Sequence, residues 1–276
     1  IGKKITLNTG ARMETYSVDS EKLDESIAPQ VALNWRALEW LSFRGSVSRG
    51  FRVPSVAEMY TQTQLNIFQV EPNPNLKAES SQGGEVGLTV QIPGNSLASN
   101  IKFDLAAFSS TFDQLIVANP NEKGIIHFEN LTDARISGLE VGLSGAMLNK
   151  SLLFSTAYTH LNPVEIDKDG SAIDTLAYRF RHTLVTTIGT RLMGVTMTLE
   201  NRYMSRIERV KLFQENAISG QDKRVPIHIW NAGFGYDYRG WDFLFRVENM
   251  FQYYYTELER NMGEERHFSL TISKKI

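Results

Sequence analysis

Residues 241–248 read WDFLFRVE, a stretch in which large apolar side chains alternate with mostly polar neighbours. Because successive side chains of a β-strand point to opposite faces, one face of this segment would carry Trp241, Phe243 and Phe245. The opposite face would carry the charges of the stretch. Such a strand suits a boundary between lipid and water, because a charge on the lipid side at mid-depth costs about 2 to 4 kcal/mol. The stretch therefore predicts a membrane-crossing β-strand.

The same separation of apolar and polar faces recurs in other parts of the chain. It is found in five further segments, 41–48, 101–105, 139–144, 195–202 and 230–238. In each segment the charged residues stay off the apolar face, as a wall between lipid and water requires. A soluble antiparallel sandwich or propeller also alternates polar with apolar residues, and this alternative stays open on pattern alone. No run of about 18 apolar residues is present, so a transmembrane helix is not predicted.

The predicted connections between strands alternate between short and long. Twelve strands and eleven connections are expected, with short connections at 37–40, 93–98, 149–150, 193–194 and 239–240, and long ones at 19–26, 51–79, 119–124, 161–179, 207–224 and 254–265. Outer-membrane barrels have tight turns on the periplasmic side and longer loops on the outside. Trp40, Tyr238 and Trp241 flank short connections, where an interfacial belt of aromatic residues would lie. The sequence therefore predicts an all-β fold, an antiparallel transmembrane β-barrel.

Composition argues against several other classes of function. The chain has 276 residues, a formal net charge of -2 and no cysteine. The near-neutral charge gives no basis for nucleic-acid binding, and the lack of cysteine removes disulfides and thiolate chemistry. The five histidines are scattered along the sequence, and neither a catalytic serine elbow nor a phosphate-binding glycine loop is present, so no metal site, cofactor or enzymatic activity is predicted. The chain begins at Ile1 within strand-like sequence, which we interpret as the start of a fragment or a processed piece.

Several ordered motifs give the chain a family resemblance. Residues 50–60, GFRVPSVAEMY, resemble the GFRxPSxxEly stretch of TonB-dependent outer-membrane receptors. Residues 73–80, NPNLKAES, resemble the NPNLKPE stretch of the same family. Further similarities keep the family's order and lie at residues 106–116, 128–140, 178–182, 247–251 and 265–268. The resemblance spans the chain from Leu41 to its C-terminus.

The resemblance implies that residues 1–276 form the carboxy-terminal part of a receptor β-barrel, about 12 strands of a barrel of about 22. It implies that the plug domain, the box that engages TonB and the first strands of the barrel are absent from this sequence. It also implies a multi-pass protein of the Gram-negative outer membrane, in contact with outer-membrane lipid. Energised transport would need the TonB-ExbB-ExbD complex, which would act through the missing N-terminal region.

The long connections are where such a receptor would contact its ligand. Aromatic rings and amides are concentrated in two of them, and these groups suit flat, polar metal chelates. The candidate ligand-binding residues are Tyr60, Gln62, Gln64, Phe68, Tyr254 and Arg260. The expected ligand is a ferric siderophore, with haem, cobalamin or an oligosaccharide as alternatives. Ordinary loop composition with an aromatic girdle would explain the same residues, and Arg52 is expected to be structural, pairing with carboxylates inside the barrel.

Two other functions remain open at this point. A passive pore of twelve strands would require the first strand to hydrogen-bond with the last. An outer-membrane enzyme would require a serine side chain within about 3.2 Å of a histidine, with His160 as the candidate. The first alternative can thus be tested by the pairing of the outer strands, and the second by the distance between the serine and the histidine.

Overall fold

The computed structural model describes residues 4–18, 21–65, 68–95, 97–120, 125–210, 224–258 and 261–274. These ranges are almost entirely β-structure, with one short helix, α1 (Val56–Tyr60). The strands are β1 Ile5–Val18, β2 Glu21–Leu38, β3 Leu41–Arg52, β4 Thr63–Leu65, β5 Phe68–Glu71, β6 Glu79–Gly94, β7 Ala98–Pro120, β8 Ile125–Met147, β9 Leu152–Ile166, β10 Ala172–Thr175, β11 His182–Leu192, β12 Val195–Met204, β13 Ile227–Tyr238, β14 Trp241–Glu248, β15 Thr256–Leu258, β16 Asn261–Met262 and β17 His267–Lys274. No helix in the described ranges has the length and apolarity needed to cross a membrane.

Twelve long strands form one continuous antiparallel sheet in the described part of the chain. Their order is β1-β2-β3-β6-β7-β8-β9-β11-β12-β13-β14-β17. Each long strand therefore pairs with the long strands before and after it in the sequence. The smaller strands attach at the edges of this path: β10 pairs with β9, β4 pairs with β5, and β5 pairs with β8. The predicted all-β fold and the predicted number of strands are both confirmed.

The sheet is open at its two outer strands. Within the described residues, no backbone pairing joins β1 to β17. A passive pore closed by this chain alone needs that pairing, because a barrel wall has no free edge. The structure does not supply the closure that the passive-pore alternative requires.

Tight turns join the strands at one end of the sheet, which we call the turn end. Met193 and Gly194 have φ values of 51° and 82°, and Arg239 and Gly240 have φ values of 48° and 81°. Two central residues with positive φ are the signature of type I′ hairpin turns, whose twist matches that of paired strands. The predicted short connections at these positions are confirmed, and the remaining predicted short connections also lie at the turn end.

The opposite end, which we call the loop end, is less regular than the sequence indicates. The prediction of a long connection at 19–26 is wrong, since β2 begins at Glu21 and pairs there with Val18. The prediction of a long connection at 119–124 is also wrong, because only residues 121–124 lie between β7 and β8. These four residues are outside the described ranges. In both places the strands continue into polar sequence. Strands that extend beyond a bilayer can stay paired through backbone hydrogen bonds without an apolar face. A change to polar sequence therefore does not mark the end of a strand.

The other long connections are partly confirmed. The segment 51–79 contains α1, β4 and β5, and the segment 254–265 contains β15 and β16. The segment 161–179 starts later than predicted, because β9 extends to Ile166 and β10 folds back onto it. Most of the segment 207–224 lies outside the described residues.

Cross-strand register sorts the side chains into two faces. Phe245 lies opposite Phe234 on β13 and opposite Leu270 on β17. One residue further along β14, Arg246 lies opposite Ser269. Directly paired residues share a face and neighbouring residues alternate between faces. We call the side that carries Phe245 the apolar face and the side that carries Arg246 the polar face.

The apolar face is not covered by a second layer of structure in the described part of the chain. Leu139 and Phe245, both on this face, are 46% and 41% exposed. A soluble sandwich would bury such residues against a facing sheet about 10 Å away. The buried hydrophobic cluster instead lies at the loop end and comprises Met204, Ile227, Ile229 and Tyr255. An uncovered apolar face is the property that a wall against lipid requires.

The polar face is held by ion pairs that cross several strands. Arg44 donates from Nε to Glu85 Oε1 at 2.7 Å and from Nη2 to Asp104 Oδ1 at 2.8 Å. Thr89 Oγ1 donates to Asp104 Oδ2 at 2.6 Å. These contacts join β3, β6 and β7 side by side. The charges of Arg44, Glu85 and Asp104 are therefore satisfied among themselves on one face, as the sequence pattern predicts.

Candidate ligand-binding site

A long connection, which we call the strap (residues 53–78), leaves β3 and returns to β6 at the loop end. It begins with α1, whose N-cap is Ser55. Ser55 Oγ accepts a hydrogen bond from Glu58 N at 3.2 Å, and Ser55 N donates to Glu58 Oε2 at 2.7 Å. This reciprocal pair is a capping box, which satisfies two of the otherwise unpaired amides at a helix start. The spacing of Ser55 and Glu58 could have predicted this helix from the sequence.

Arg52 fastens the strap to the sheet. Its Nε and Nη2 donate to the two carboxylate oxygens of Glu79 at 2.7 and 2.8 Å, and its Nη1 donates to Glu58 at 2.9 to 3.0 Å. Arg52 and Glu79 lie opposite each other on β3 and β6, on the polar face. Because Glu58 reaches the same guanidinium, α1 is held on the polar-face side of the wall. The structural role predicted for Arg52 is confirmed.

The charge of Glu58 is stabilised by these contacts. Partial burial works to raise the pKa of Glu58, but hydrogen bonds from Arg52 and from Ser55 outweigh it. The pKa of Glu58 therefore lies below its usual value. The ionised carboxylate is the form that holds α1 against the wall.

The strap crosses part of the sheet before it returns. Its strand β5 pairs in parallel with β8, with Gln69 opposite Ile125 and Glu71 opposite His127. Glu71 Oε2 lies 3.3 Å from His127 Nε2. Since β6 and β7 lie between β3 and β8 in the sheet, the strap spans both of them. A three-residue parallel pairing of this kind has no periodic signal in the sequence.

The returning part of the strap is clamped by side-chain amides. Asn73 Nδ2 donates to Phe128 O at 2.9 Å. Asn130 Oδ1 accepts from Lys77 N at 2.8 Å, and Asn130 Nδ2 donates to Lys77 O at 3.0 Å. Leu76 between these contacts is buried. The NPNLK stretch therefore acts as a backbone anchor on β8.

An open cleft of about 560 Å³ lies beside this anchor. Its lining residues are Asn75, Lys77, Gln114, Asn130, Asp133, Ile166, Asp167 and Lys168. Charges of both signs and several amides meet here beside apolar surface. The cleft can accept hydrogen-bonding and charged groups of a ligand, while the aromatic groups that would stack on a flat ligand lie elsewhere on the loops.

The structure places the predicted ligand-binding residues in two separate regions. Tyr60, Gln62 and Gln64 are exposed and lie together on the strap. Tyr254 is exposed in the loop between β14 and β17, where its hydroxyl accepts from Gln252 Nε2 at 3.2 Å. Six strands of the sheet separate β6 from β14, so the two regions face each other only if the wall curves into a barrel.

Two of the predicted residues are not fully described. The backbone of Phe68 begins β5, and its side chain lies outside the described part of the chain. Arg260 lies outside the described residues altogether. Their roles in ligand binding stay predictions.

Asn249 organises the second region, and sequence reasoning assigned it no role. It is 3% exposed. Its Nδ2 donates to Tyr253 O at 2.8 Å and to Glu264 O at 3.0 Å, and its Oδ1 accepts from Tyr253 N at 2.8 Å. One buried amide thus fixes both ends of the loop that carries Tyr254. The sequence feature that could have indicated this role is the position of Asn249 within the motif at 247–251.

Two histidines that are distant in the sequence meet on the apolar face. His160 Nδ1 lies 3.4 Å from His182 Nδ1, and Tyr158 Oη lies 2.8 Å from the same His182 nitrogen. Although the histidines are scattered along the sequence, this pair meets in space because the register of β9 and β11 places the two residues opposite each other. The described contact of the His160 ring is with an imidazole rather than with a serine. This geometry does not give the enzyme alternative the contact that it requires.

Comparison with known proteins shows which family and which relatives the chain resembles. Residues 1–257 match the family described as TonB dependent receptor-like, beta-barrel. The chain is 25% identical over 174 residues to the heme/hemopexin utilization protein C of Haemophilus influenzae, covering 51% of this chain and 24% of that protein. It is 22% identical over 169 residues to the hemin receptor of Yersinia pestis, covering 55% of this chain and 25% of that protein.

A solved structure with a similar fold is a mutant of the ferric enterobactin receptor PfeA of Pseudomonas aeruginosa in complex with enterobactin. The TM-score is 0.71 at 16% sequence identity, and the alignment covers 99% of this chain and 43% of that chain. At this identity the likeness concerns the fold alone. The chain spans about a quarter of the two relatives named above and less than half of this structure.

Proposed function

The chain belongs to the TonB dependent receptor-like β-barrel family, and on that premise we propose that it forms the carboxy-terminal part of a receptor that imports a scarce iron chelate. The family is one of outer-membrane β-barrels, so the apolar face is assigned to acyl chains and the polar face to the barrel interior. The loop end is then extracellular and the turn end periplasmic. The strap lies at the outer mouth, where a ligand first meets the receptor.

We propose haem as the first candidate ligand. The observation that carries this choice is the sequence similarity to a heme/hemopexin utilization protein and to a hemin receptor. The exposed phenols of Tyr60 and Tyr254 suit this ligand, because a tyrosine can stack on a porphyrin or ligate its iron. The amides of Gln62 and Gln64 can hydrogen-bond to its carboxylates.

The ferric siderophore expected from the sequence is the second candidate. The observation that favours it is the fold similarity to a receptor solved with enterobactin. Because that similarity rests on the fold alone, it says less about loop chemistry than the similarity in sequence does. Cobalamin and oligosaccharide have no comparable support from the three proteins named above.

Uptake measurements separate these ligands. A bacterial strain that lacks its own haem and siderophore receptors, and that carries the whole receptor, would be grown with haem or with a ferric catechol siderophore as sole iron source. We expect growth on haem, and loss of that growth in a strain without a functional TonB-ExbB-ExbD complex. Growth on the siderophore alone would make the second candidate correct, and growth on neither would contradict import of an iron chelate.

Binding measurements test the strap directly. Haem would be titrated into the purified receptor in detergent while its absorption spectrum is followed. We expect Tyr60→Ala to weaken haem binding, because the exposed ring at the end of α1 is lost. Val56→Ala, an exposed apolar position of the same helix, is the matched control and should bind as the unaltered receptor does.

A further inference from the structure

Three metal-ligating side chains converge at the loop end, away from the cleft and the strap. Glu248 ends β14, His267 begins β17, and the two lie opposite each other in register on the polar face. Glu264 comes three residues before His267 in the loop between these strands. One carboxylate oxygen of each glutamate and one ring nitrogen of His267 all lie within 4.8 Å of one another.

The spacing of these atoms suits a small divalent metal ion. His267 Nδ1 lies 3.2 Å from Glu248 Oε2. Bonds of about 2.1 Å to Zn²⁺ would place tetrahedral ligands about 3.4 Å apart, so this pair already has the required separation. The Glu264 side chain is exposed and can rotate to complete the set.

Backbone contacts bring the three ligands near one another without any metal. Sheet register places Glu248 beside His267. The buried amide of Asn249 donates to Glu264 O at 3.0 Å, and Gly263 N donates to Tyr255 O at 2.8 Å. These bonds hold the backbone at Glu264 beside the wall. Such preorganisation lowers the cost of binding an ion.

The charge balance of the cluster also favours a cation. In the described part of the chain, the ion pairs of Glu248 and Glu264 are limited to the contact between Glu248 and His267. Two carboxylates therefore meet beside a single imidazole, and a neutral imidazole leaves both negative charges without compensation. A divalent ion would neutralise them.

We propose that Glu248, Glu264 and His267 bind a divalent transition-metal ion of the Zn²⁺ class, which fastens the loop of residues 249–266 to the wall. One imidazole and two carboxylates form a ligand set that Zn²⁺ accepts, with a fourth position left for water. Binding requires ionised glutamates and a neutral histidine, so it releases a proton from any protonated His267. The site does not depend on which chelate the receptor imports.

Calorimetric titration of the purified, metal-free whole receptor with Zn²⁺ tests the proposal. We expect one saturable equivalent of Zn²⁺, and a visible absorption spectrum of tetrahedral type when Co²⁺ replaces it. Glu264→Gln and His267→Ala should each weaken binding by at least about tenfold. Glu265→Gln and His228→Ala are the matched controls and should leave it unchanged, since Glu265 adjoins the cluster without joining it and His228 belongs to β13 on the apolar face.

Folding of the variants is checked separately by their circular dichroism and by their heat-modifiable mobility in gels. Glu264 is an exposed loop residue, so Glu264→Gln is expected to fold as the unaltered receptor does. Zn²⁺ should also protect residues 249–266 from proteolysis in the unaltered receptor and not in folded Glu264→Gln. Absence of saturable Zn²⁺ binding, or undiminished binding in folded Glu264→Gln and His267→Ala, would overturn the proposal.

Discussion

At the scale of single residues, a few side chains with several partners determine the shape of the loop end. Arg52 contacts Glu79 on the neighbouring strand and Glu58 on the helix of the strap. Asn249 bonds to both ends of the last loop. A planar guanidinium and a primary amide can satisfy several groups at once, which explains why these residue types occupy the two junctions.

The junction at Glu58 gives a prediction of pH dependence. Because the folded-state pKa of Glu58 is lowered, its carboxylate stabilises the docked strap at pH values above its unfolded pKa. This stabilisation is lost as the pH falls through the folded pKa. We expect proteolysis of the strap to increase on acidification in the unaltered receptor.

The variant Glu58→Gln isolates the contribution of this carboxylate. Its strap should be more susceptible to proteolysis at neutral pH. Acidification should increase the rate of proteolysis less in this variant than in the unaltered receptor. Identical pH profiles for the two proteins would contradict a role for the Glu58 charge.

The buried amide of Asn249 gives a prediction of stability. Asn249→Ala leaves the amide and carbonyl of Tyr253 and the carbonyl of Glu264 without their partner, and each buried unpaired group costs about 1 to 3 kcal/mol. The free energy of unfolding, measured by urea denaturation in lipid vesicles, should fall accordingly. Asn249→Asp retains the acceptor but turns a buried carboxylate oxygen toward the carbonyl oxygens of Tyr253 and Glu264, so it should lower the free energy of unfolding at least as much as Asn249→Ala does.

At the scale of elements, the turns and strands were more predictable than the loops. Alternation of apolar and polar residues depends on the local backbone period, so the faces of β14 and β8 could be predicted from their own sequences. The turns at Met193 and Arg239 follow from a glycine beside each residue. The ends of β2 and β7 could not be predicted, because backbone pairing continues where the sequence turns polar. The pairing of β5 with β8 joins segments that are far apart in the sequence.

The turn at Met193 offers a stabilising change. Met193 is 91% exposed and has a φ of 51°, a region that asparagine tolerates better than methionine. Met193→Asn should therefore raise the free energy of unfolding by several tenths of a kcal/mol. Gly194→Ala is the opposite test, because its φ of 82° disfavours any side chain, and it should lower the same quantity. A destabilised Met193→Asn would contradict the assigned turn type.

At the scale of the whole molecule, the sheet is a single wall with one apolar face and one polar face. The ion pairs of Arg44 lie on the polar face, and the aromatic pair of Phe245 and Phe268 lies on the apolar face with ring centroids 6.2 Å apart. Neither face is sealed by a second layer within the described residues. We propose that the wall depends on lipid for its apolar side, unlike a soluble sheet, whose own chain covers it.

This dependence predicts a strong difference between two adjacent positions. Leu143 on β8 shares the apolar face with Leu139, whereas Ser144 shares the polar face with Glu140. Leu143→Lys should lower the free energy of unfolding in lipid vesicles by about 2 to 4 kcal/mol, because the charge would face the bilayer interior. Ser144→Lys is the matched control, and its effect should be much smaller. Equal effects at the two positions would argue against a lipid-facing side.

The two faces can be mapped most directly with spin labels on single cysteines, since these 276 residues contain no cysteine and any cysteine elsewhere in the whole receptor would be replaced by serine. Labels would be placed by Leu139→Cys, Glu140→Cys, Phe245→Cys and Arg246→Cys in the whole receptor in lipid vesicles, and their collision rates with oxygen and with a water-soluble nickel complex would be measured. A wall between lipid and water predicts that labels at 139 and 245 meet mainly oxygen dissolved in lipid, whereas labels at 140 and 246 meet mainly nickel in water. Labels at 139 and 245 that are shielded from both reagents, as in a packed soluble core, would contradict it.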